Sequence, residues 1–462
     1  MFNRLVNYLK GVMRSMFSRD QVKGVTNEEI TLSSYMINRM ELWDRMLKGL
    51  APWTMDADNP GVESLGIENA ICREFANTVV SEMDTSLEIE ELDEMYQKVI
   101  NGLNEGIQDG LGLGEFAIKP IGDTGEYEII PADRIIPFEF DSDGKLRRCA
   151  FVQVHPIGDT TVYYRLEIHE LTKEGLRIRN RAFKGTDGNF GTEIQLTEID
   201  EWAELETDIT YPGMDRMDFG FYKNPLPNRI DKSPNGVSIF DSAIELIKKA
   251  DIQFGRLDWE FESGERMVFG DYQTFKKDNN SKGYKWKAPH GKERMFVGMD
   301  SSDEFYHDHS PALRQADFIS GLNEYLRQIE RSVGLAYGDL SKNETVEKTA
   351  TEILASKKRK YDMVTAIQKK LKTCLEDFAY SLAFYHDMYN QHIGFQCSFH
   401  DSIRTDEDTQ RAQDRIDVQM GFMSKVEYRQ KWYGEDEHTA IAKLTQAMQE
   451  NQEFSENEGV IE

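Results

Sequence analysis

All twelve prolines of this 462-residue chain lie at or before Pro311. Proline breaks a helix because its ring clashes with the preceding turn and its nitrogen carries no hydrogen. Everything after Pro311 is therefore free to be almost entirely helical. The apolar spacing agrees: Val346, Ala350, Ile353, Tyr361, Val364, Ile367, Leu371, Leu375, Phe378, Leu382 and Tyr385 follow one helical stripe. Two shorter rods precede it. In the first, Phe240, Ile247, Phe254 and Phe261 recur every seven residues, and Gly264 ends the run. In the second, Pro311 opens a stripe of Phe318, Leu322, Tyr325, Leu326, Ile329 and Val333, closed by Gly334.

Charge separates the segment between these rods from the rest. The chain carries 82 acids and 55 bases, a formal charge of -27. Such a surface repels phosphate and does not hold nucleic acid tightly. From Gly264 to Phe296, however, eight bases face four acids. Aromatic residues are interleaved with them, in the set Tyr272, Lys276, Lys277, Tyr284, Lys285, Trp286 and Lys287. Such a mixture binds single strands or meets an acidic protein surface, and in an acidic assembly the protein surface is the preferred reading.

A second basic cluster, Lys357, Lys358, Arg359 and Lys360, interrupts the long helix. Successive helical residues are about 100° apart, so four in a row encircle the rod. A turn charged on every side is expected to emerge into water or onto carboxylates. The polar link before it, Ala336 to Thr345, has no helical stripe and is expected to move.

Upstream, residues 30 to 110 read as helices. The acid-rich stretch 82 to 94 reads as a helix start capped by Asp84 or Ser86. From Phe116 to about residue 200 the period changes to alternation, the mark of antiparallel strands. "DSDG" at 141 to 144 reads as a hairpin turn, lacking the later ligands of a calcium loop. "GLGLGEF" at 110 to 116 reads as a helix-to-strand bend, since it precedes a strand and lacks the lysine of a phosphate loop. The N-terminal stripe from Phe2 to Phe17 suits a helix docked on protein, with a membrane-surface helix as the alternative. Its charges are spread along its length, unlike a secretory signal. No apolar run is long enough to span a membrane, and no stable membrane association is expected. Four scattered cysteines indicate neither a disulfide framework nor a zinc site. "HDH" at 307 to 309 reads as a solvated turn. No hydrolase, zinc-protease, nucleotide-loop or kinase signature is present, and no cofactor is expected. "SKVE" at 424 to 427 reads as a capping box, and the acidic tail after Lys443 is expected to fray.

Four segments in order resemble portal proteins of tailed double-stranded DNA phages, of the type found in phages and prophages of Gram-positive bacteria. "GVSIFDSAIELIKKADIQFGRLDWEFESGERMVFGD" resembles the first stem helix running into the clip, and "SPALRQADFISGLNEYLRQIERSVGL" the returning stem helix. "GDLSKNETVEKTATEILASKKRKY" resembles the tunnel loop and the long helix after it. "HDSIRTDEDTQRAQDRIDVQMGFMSKVEYRQKWYGEDE" resembles the approach to the crown. The resemblance implies an α+β portal fold. Its parts would be N-terminal helices and a β-rich wing (1–237), stem helices (238–263 and 311–334), a small α/β clip (264–310), tunnel loop plus long helix (335–399), and a helical crown with acidic tail (400–462). Gly338, Asp339, Leu340, Ser341, Lys342, Asn343 and Glu344 would form the tunnel loop, and the interleaved basic and aromatic set would bind partners at the clip. The implied assembly is a ring, a dodecamer in this family, at one capsid vertex and in the host cytoplasm during assembly. It passes double-stranded DNA without sequence specificity and docks terminase, a head-tail adaptor, and major capsid and scaffolding proteins. The basic turn would brace the helix behind the tunnel loop against a neighbour's carboxylates, or face DNA. A non-portal ring adaptor and a multidomain enzyme with unread motifs are the alternative classes.

Overall fold

A computed structural model describes residues 19–56, 61–157, 161–265, 267–271, 296–299, 306–342, 350–388, 392–400 and 407–458. The fold is mixed α+β, and the chain divides into Met1–Ser398 and Phe399–Glu462. The N-terminal amphipathic stripe, the basic and aromatic set from Tyr272 to Lys287 that was expected to bind partners, and Asn343 and Glu344 lie outside the described residues.

The larger unit opens with helices α1 (Arg19–Thr26), α2 (Ser34–Leu47), α3 (Ile67–Ser81) and α4 (Glu90–Leu113). Ser33 caps α2 by accepting a hydrogen bond from the Met36 amide at 3.1 Å. The acidic stretch 82 to 94 departs from the expected helix start. Met83–Ser86 forms strand β1, which pairs with β14 (Gln396–Phe399) far along the chain. Thr85 donates from its hydroxyl to the Gln396 carbonyl at 2.9 Å. Helix α4 begins only at Glu90, with no side-chain cap. The acids Glu90, Glu91 and Asp93 still occupy its first turn, where the helix dipole favours them.

Glycines four apart give α4 a flat face. A Cβ on Gly106 would stand 2.9 Å from Ile129, and one on Gly110 would stand 2.1 Å from the Phe116 ring. Their absence lets strands β2 (Glu115–Pro120) and β3 (Tyr127–Pro131) lie directly on the helix. The predicted bend is Gly114, which ends α4 in the left-handed region at φ 101°.

The β region contains two antiparallel sheets. One has the order β10-β2-β3, with β10 at Gly220–Lys223. The other is a meander of β4 (Ile135–Phe140), β5 (Leu146–Ile157), β6 (Thr161–Thr172), β7 (Gly175–Thr186) and β8 (Asn189–Ile194). Strand β9 (Asp208–Tyr211) shares with β8 the free edge of the long β7. The β4–β5 turn is the predicted hairpin turn, in which Asp141 Oδ1 accepts from the Asp143 and Lys145 amides.

Two helices, α5 (Ile244–Ser263) and α6 (Gln315–Val333), form an antiparallel hairpin. Contacts run along it in step, from Ser242 with Ser332 (Oγ to Oγ, 2.9 Å) to Glu260 with Arg314. At its tip sits a three-stranded sheet of β12 (Phe296–Met299), β11 (Met267–Asp271) and β13 (Tyr306–His309). Strand β11 runs parallel to β12 and antiparallel to β13. "HDH" is thus part of a strand and not a turn, because β11 supplies a pairing partner absent from the local sequence. Pro311 stands ahead of its helix, which starts at Gln315.

Helix α7 (Ala350–Tyr385) spans 36 residues, about 54 Å at 1.5 Å per residue. It buries Val364, Ile367, Leu371, Leu375, Phe378 and Leu382, the predicted stripe. The close approach of Gly220 to the Cys374 backbone seats it on β10. All four cysteines are free and buried.

The smaller unit holds α8 (Glu407–Met420), α9 (Lys425–Tyr433) and α10 (Glu437–Glu458). Ser424 and Glu427 make both bonds of the capping box. Helix α10 runs through the acidic tail to Glu458.

Candidate functional site

The polar link after α6 is held by one buried carboxylate. Glu330, in the last turn of α6, is fully buried. Its Oε1 accepts from the amides of Gly338 (3.1 Å), Leu340 (2.7 Å) and Ser341 (2.7 Å), and its Oε2 accepts from the Ser341 hydroxyl (2.9 Å). The helix can supply this carboxylate because Gly334, at φ 92°, turns the chain back over the C-terminal turn. Lys342 then meets Asn323, whose Oδ1 accepts from its amide at 2.7 Å. The link therefore runs back along α6. The expectation of a freely moving link is corrected for residues 336 to 342. A polar composition without a stripe reads as loose, but a single glutamate three residues inside the helix satisfies the loop's amides.

The basic turn divides into three roles. Lys357 and Lys358 are exposed. Lys360 points inward, its side chain 11% exposed, with Nζ 2.5 Å from Glu74 Oε1 on α3 and 3.2 Å from Asp339 Oδ2 in the link. Burial disfavours the Lys360 ammonium, but Glu74 and Asp339 more than offset this and raise its pKa above the ordinary value. Burial also raises the Asp339 carboxyl, against the pull of Lys360. The expectation that the whole turn must emerge is thus corrected at Lys360. A buried ammonium is tolerated here because two carboxylates meet it. The bracing of the link comes from within the chain, through Asp339.

Arg359 takes the third role. Its guanidinium lies 4.8 Å from the centre of the Tyr337 ring, against which Arg327 of α6 also lies at 5.4 Å. Its Nε and Nη2 are buried and donate to no acceptor among the described residues. An unbonded buried donor costs about 1–3 kcal/mol.

The hairpin presents a second candidate surface. Trp259 is 66% exposed, and Phe261, Leu313 and Ile319 are also exposed. They lie at the end that carries the three-stranded sheet. Glu260 and Arg314 fasten that end, with Arg314 Nη2 donating to Glu260 Oε2 at 2.6 Å.

Sequence reasoning missed an interior charge network between β6 and α7. Glu167 receives the Lys119 ammonium at 2.6 Å on each oxygen and Arg165 Nη2 at 2.9 Å. His169 Nδ1 lies 2.7 Å from Asp218 Oδ1, and the Tyr385 hydroxyl donates to Asp218 Oδ2 at 2.8 Å. His169 Nε2 lies 3.2 Å from Glu167 Oε1 without the alignment of a hydrogen bond. Burial would discharge His169, yet Asp218 and Glu167 raise its pKa above the ordinary value. Burial likewise opposes the Glu167 charge, but Lys119, His169 and Arg165 hold it well below the ordinary carboxylate range. Lys119, Arg165, Glu167, His169 and Asp218 are all buried, so the network braces the interior and ties the end of α7 to the sheet. The only local signal was polar residues at inward positions of an alternating strand.

No family model matches the sequence, and no curated protein is significantly similar to it. Among the described residues no cluster of side chains could hold a metal ion, and no helix is long and apolar enough to cross a membrane.

Proposed function

We propose that the chain is the subunit of a portal-type ring, a conduit for double-stranded DNA at one capsid vertex and a dock for terminase and head-completion proteins. The observation that carries this reading is the helical hairpin with a small sheet at its tip and exposed Trp259, Phe261, Leu313 and Ile319 beside it. In this reading α5 and α6 are the stem, the β11–β13 sheet belongs to the clip, and the β-rich region is the wing. Apolar residues that one chain leaves in water are covered by the stem of the next copy. The long basic-aromatic stretch between β11 and β12 serves partner proteins. The strong negative charge suits a channel through which DNA slides without sticking. Negative-stain electron microscopy of the purified protein tests this. Closed rings with a central hole are expected. A strictly monomeric mass at micromolar concentration and moderate salt would overturn the reading, and a ring that never associates with terminase or DNA packaging would favour a non-portal adaptor.

A further inference from the structure

Two buried carboxylates meet where the chain ahead of α3 crosses α5. Glu68, in the first turn of α3, and Asp251, on α5, are each 1% exposed. Consecutive residues hold them. The Ser64 hydroxyl donates to Glu68 Oε1 at 3.3 Å, and the Leu65 amide donates to Asp251 Oδ1 at 3.0 Å. Asp251 Oδ2 accepts from the Trp53 indole at 2.7 Å. One turn along α5, Gly255 keeps the crossing close, since a Cβ there would stand 3.0 Å from the Gly61 carbonyl oxygen. Residues 61–65 thus form a strap over α5, with Asp251 as its fastening. Glu68 Oε2 is buried with no partner among the described residues, and no cation among them pairs with either carboxylate. The neighbouring elements bring no relief. Cys72 follows one turn on along α3, Asp109 of α4 acts on Cys72, Lys360 of α7 meets α3 only at Glu74, and α2 meets it at Asn69 through the Leu47 carbonyl.

We propose that Glu68 is a proton-controlled release for this strap: when neutral it lets residues 61–65 close on α5, and when ionised it repels Asp251 and loosens their hold. The strap works within one chain and does not depend on the ring reading. Burial raises the Asp251 carboxyl, but the Leu65 amide and the Trp53 indole favour its charged form, so Asp251 ionises first. Burial raises the Glu68 pKa from an ordinary 4.5 to about 7; its own backbone amide opposes this, the Asp251 charge adds to it, and Ser64 opposes it. When Glu68 then loses its proton, a second charge enters a site without a cation, and opening of the strap is what admits water to it. The open form restores the ordinary value. It therefore gains on the closed form as pH rises from about 4.5 to about 7, and no further above that.

Hydrogen exchange of the full chain at pH 6 and pH 8.5 tests this, read by mass spectrometry and corrected for the intrinsic rate at each pH. Protection of the Leu65 and Gly66 amides should fall about tenfold across that interval in wild type. In Glu68→Gln it should stay at the pH 6 level of wild type, because glutamine keeps the acceptor for Ser64 and never ionises. In Asp251→Asn it should be weak at both pH values, because the amide cannot accept from Leu65 and Trp53 together. Strand β6 serves as the control for general loosening and for the folding of each variant. Wild-type protection that is equal at both pH values would overturn the proposal. So would a fall of the same size in β6, or an undiminished fall in Glu68→Gln, which would assign the titration to another group.

Discussion

Replacing Glu115 by glutamine should stabilise the protein, and only above mildly acidic pH. Glu115 opens β2 directly after Gly114 and is 1% exposed. Its Oε2 accepts from the Gly236 amide at 2.8 Å, while its Oε1 is buried with no partner among the described residues. Burial raises its pKa from an ordinary 4.5 to about 7, against the smaller pull of the Gly236 amide and Lys223. A tenfold change in proton affinity is worth about 1.4 kcal/mol, so the ionised form costs the folded state about 3 kcal/mol. The sign is the reverse of an ion-paired carboxylate. Between pH 4.5 and 7 the folded chain holds a proton that the unfolded chain has released, so stability falls as pH rises and levels off above about 7. Glutamine keeps the acceptor for Gly236 and never ionises. Urea unfolding at pH 5 and pH 8, at one protein concentration, should show the advantage of Glu115→Gln growing by about 2–3 kcal/mol. An advantage that is the same at both pH values, or a variant less stable at pH 8, would refute the reasoning.

Lys360→Gln should destabilise the single chain by about 1–3 kcal/mol, because it strands Asp339 and Glu74, whereas the double change Lys357→Gln with Lys358→Gln should cost under about 0.5 kcal/mol; calorimetry separates them. His169→Gln removes a cation that the folded state favours. Wild type should therefore lead this variant most below about pH 6.5, and the lead should shrink as pH rises through the raised value of His169, as read from unfolding curves at pH 6 and pH 9. Trp286→Ala should leave self-association intact and weaken binding of the motor or adaptor, measured by co-sedimentation with terminase; equal binding by both forms would argue against a partner role for the basic-aromatic stretch.

The sequence revealed what periodicity can carry. The helix stripes of α5, α6 and α7, the alternation from β2 to β8, the bend at Gly114 and the box at Ser424 all depend on neighbours a few residues away. It concealed pairings across long distances. The β1–β14 bridge joins residues over three hundred positions apart, and the acids around Asp84 read as a helix start because their true partner is not local. The candidate site divides the same way. That Lys357 to Lys360 encircle the helix was legible from 100° per residue. Which one turns inward depends on Glu74 of α3 and Asp339, and which one stacks depends on Tyr337. The cage around Glu330 was hidden because a glutamate on a helix gives no sign that a following loop will fold back over it.

The wide separation of β1 and β14 sets an order on synthesis. The ribosome releases Met83–Ser86 well before Gln396–Phe399, and translation at 5–20 residues per second leaves on the order of 15–60 s between them. Throughout that interval β1 has an open edge, and from the synthesis of β10 until that of α7 the β10 face that receives Cys374 has no cover. Tyr96 also waits, since Phe378 and Phe395, at 6.3 and 6.4 Å in the finished fold, arrive late. A nascent chain with a bare strand edge and uncovered aromatics is prone to pair with its neighbours on the same message. Yield in cells should therefore depend on chaperone supply and on translation speed through residues 350 to 399 more than on the final stability of the protein.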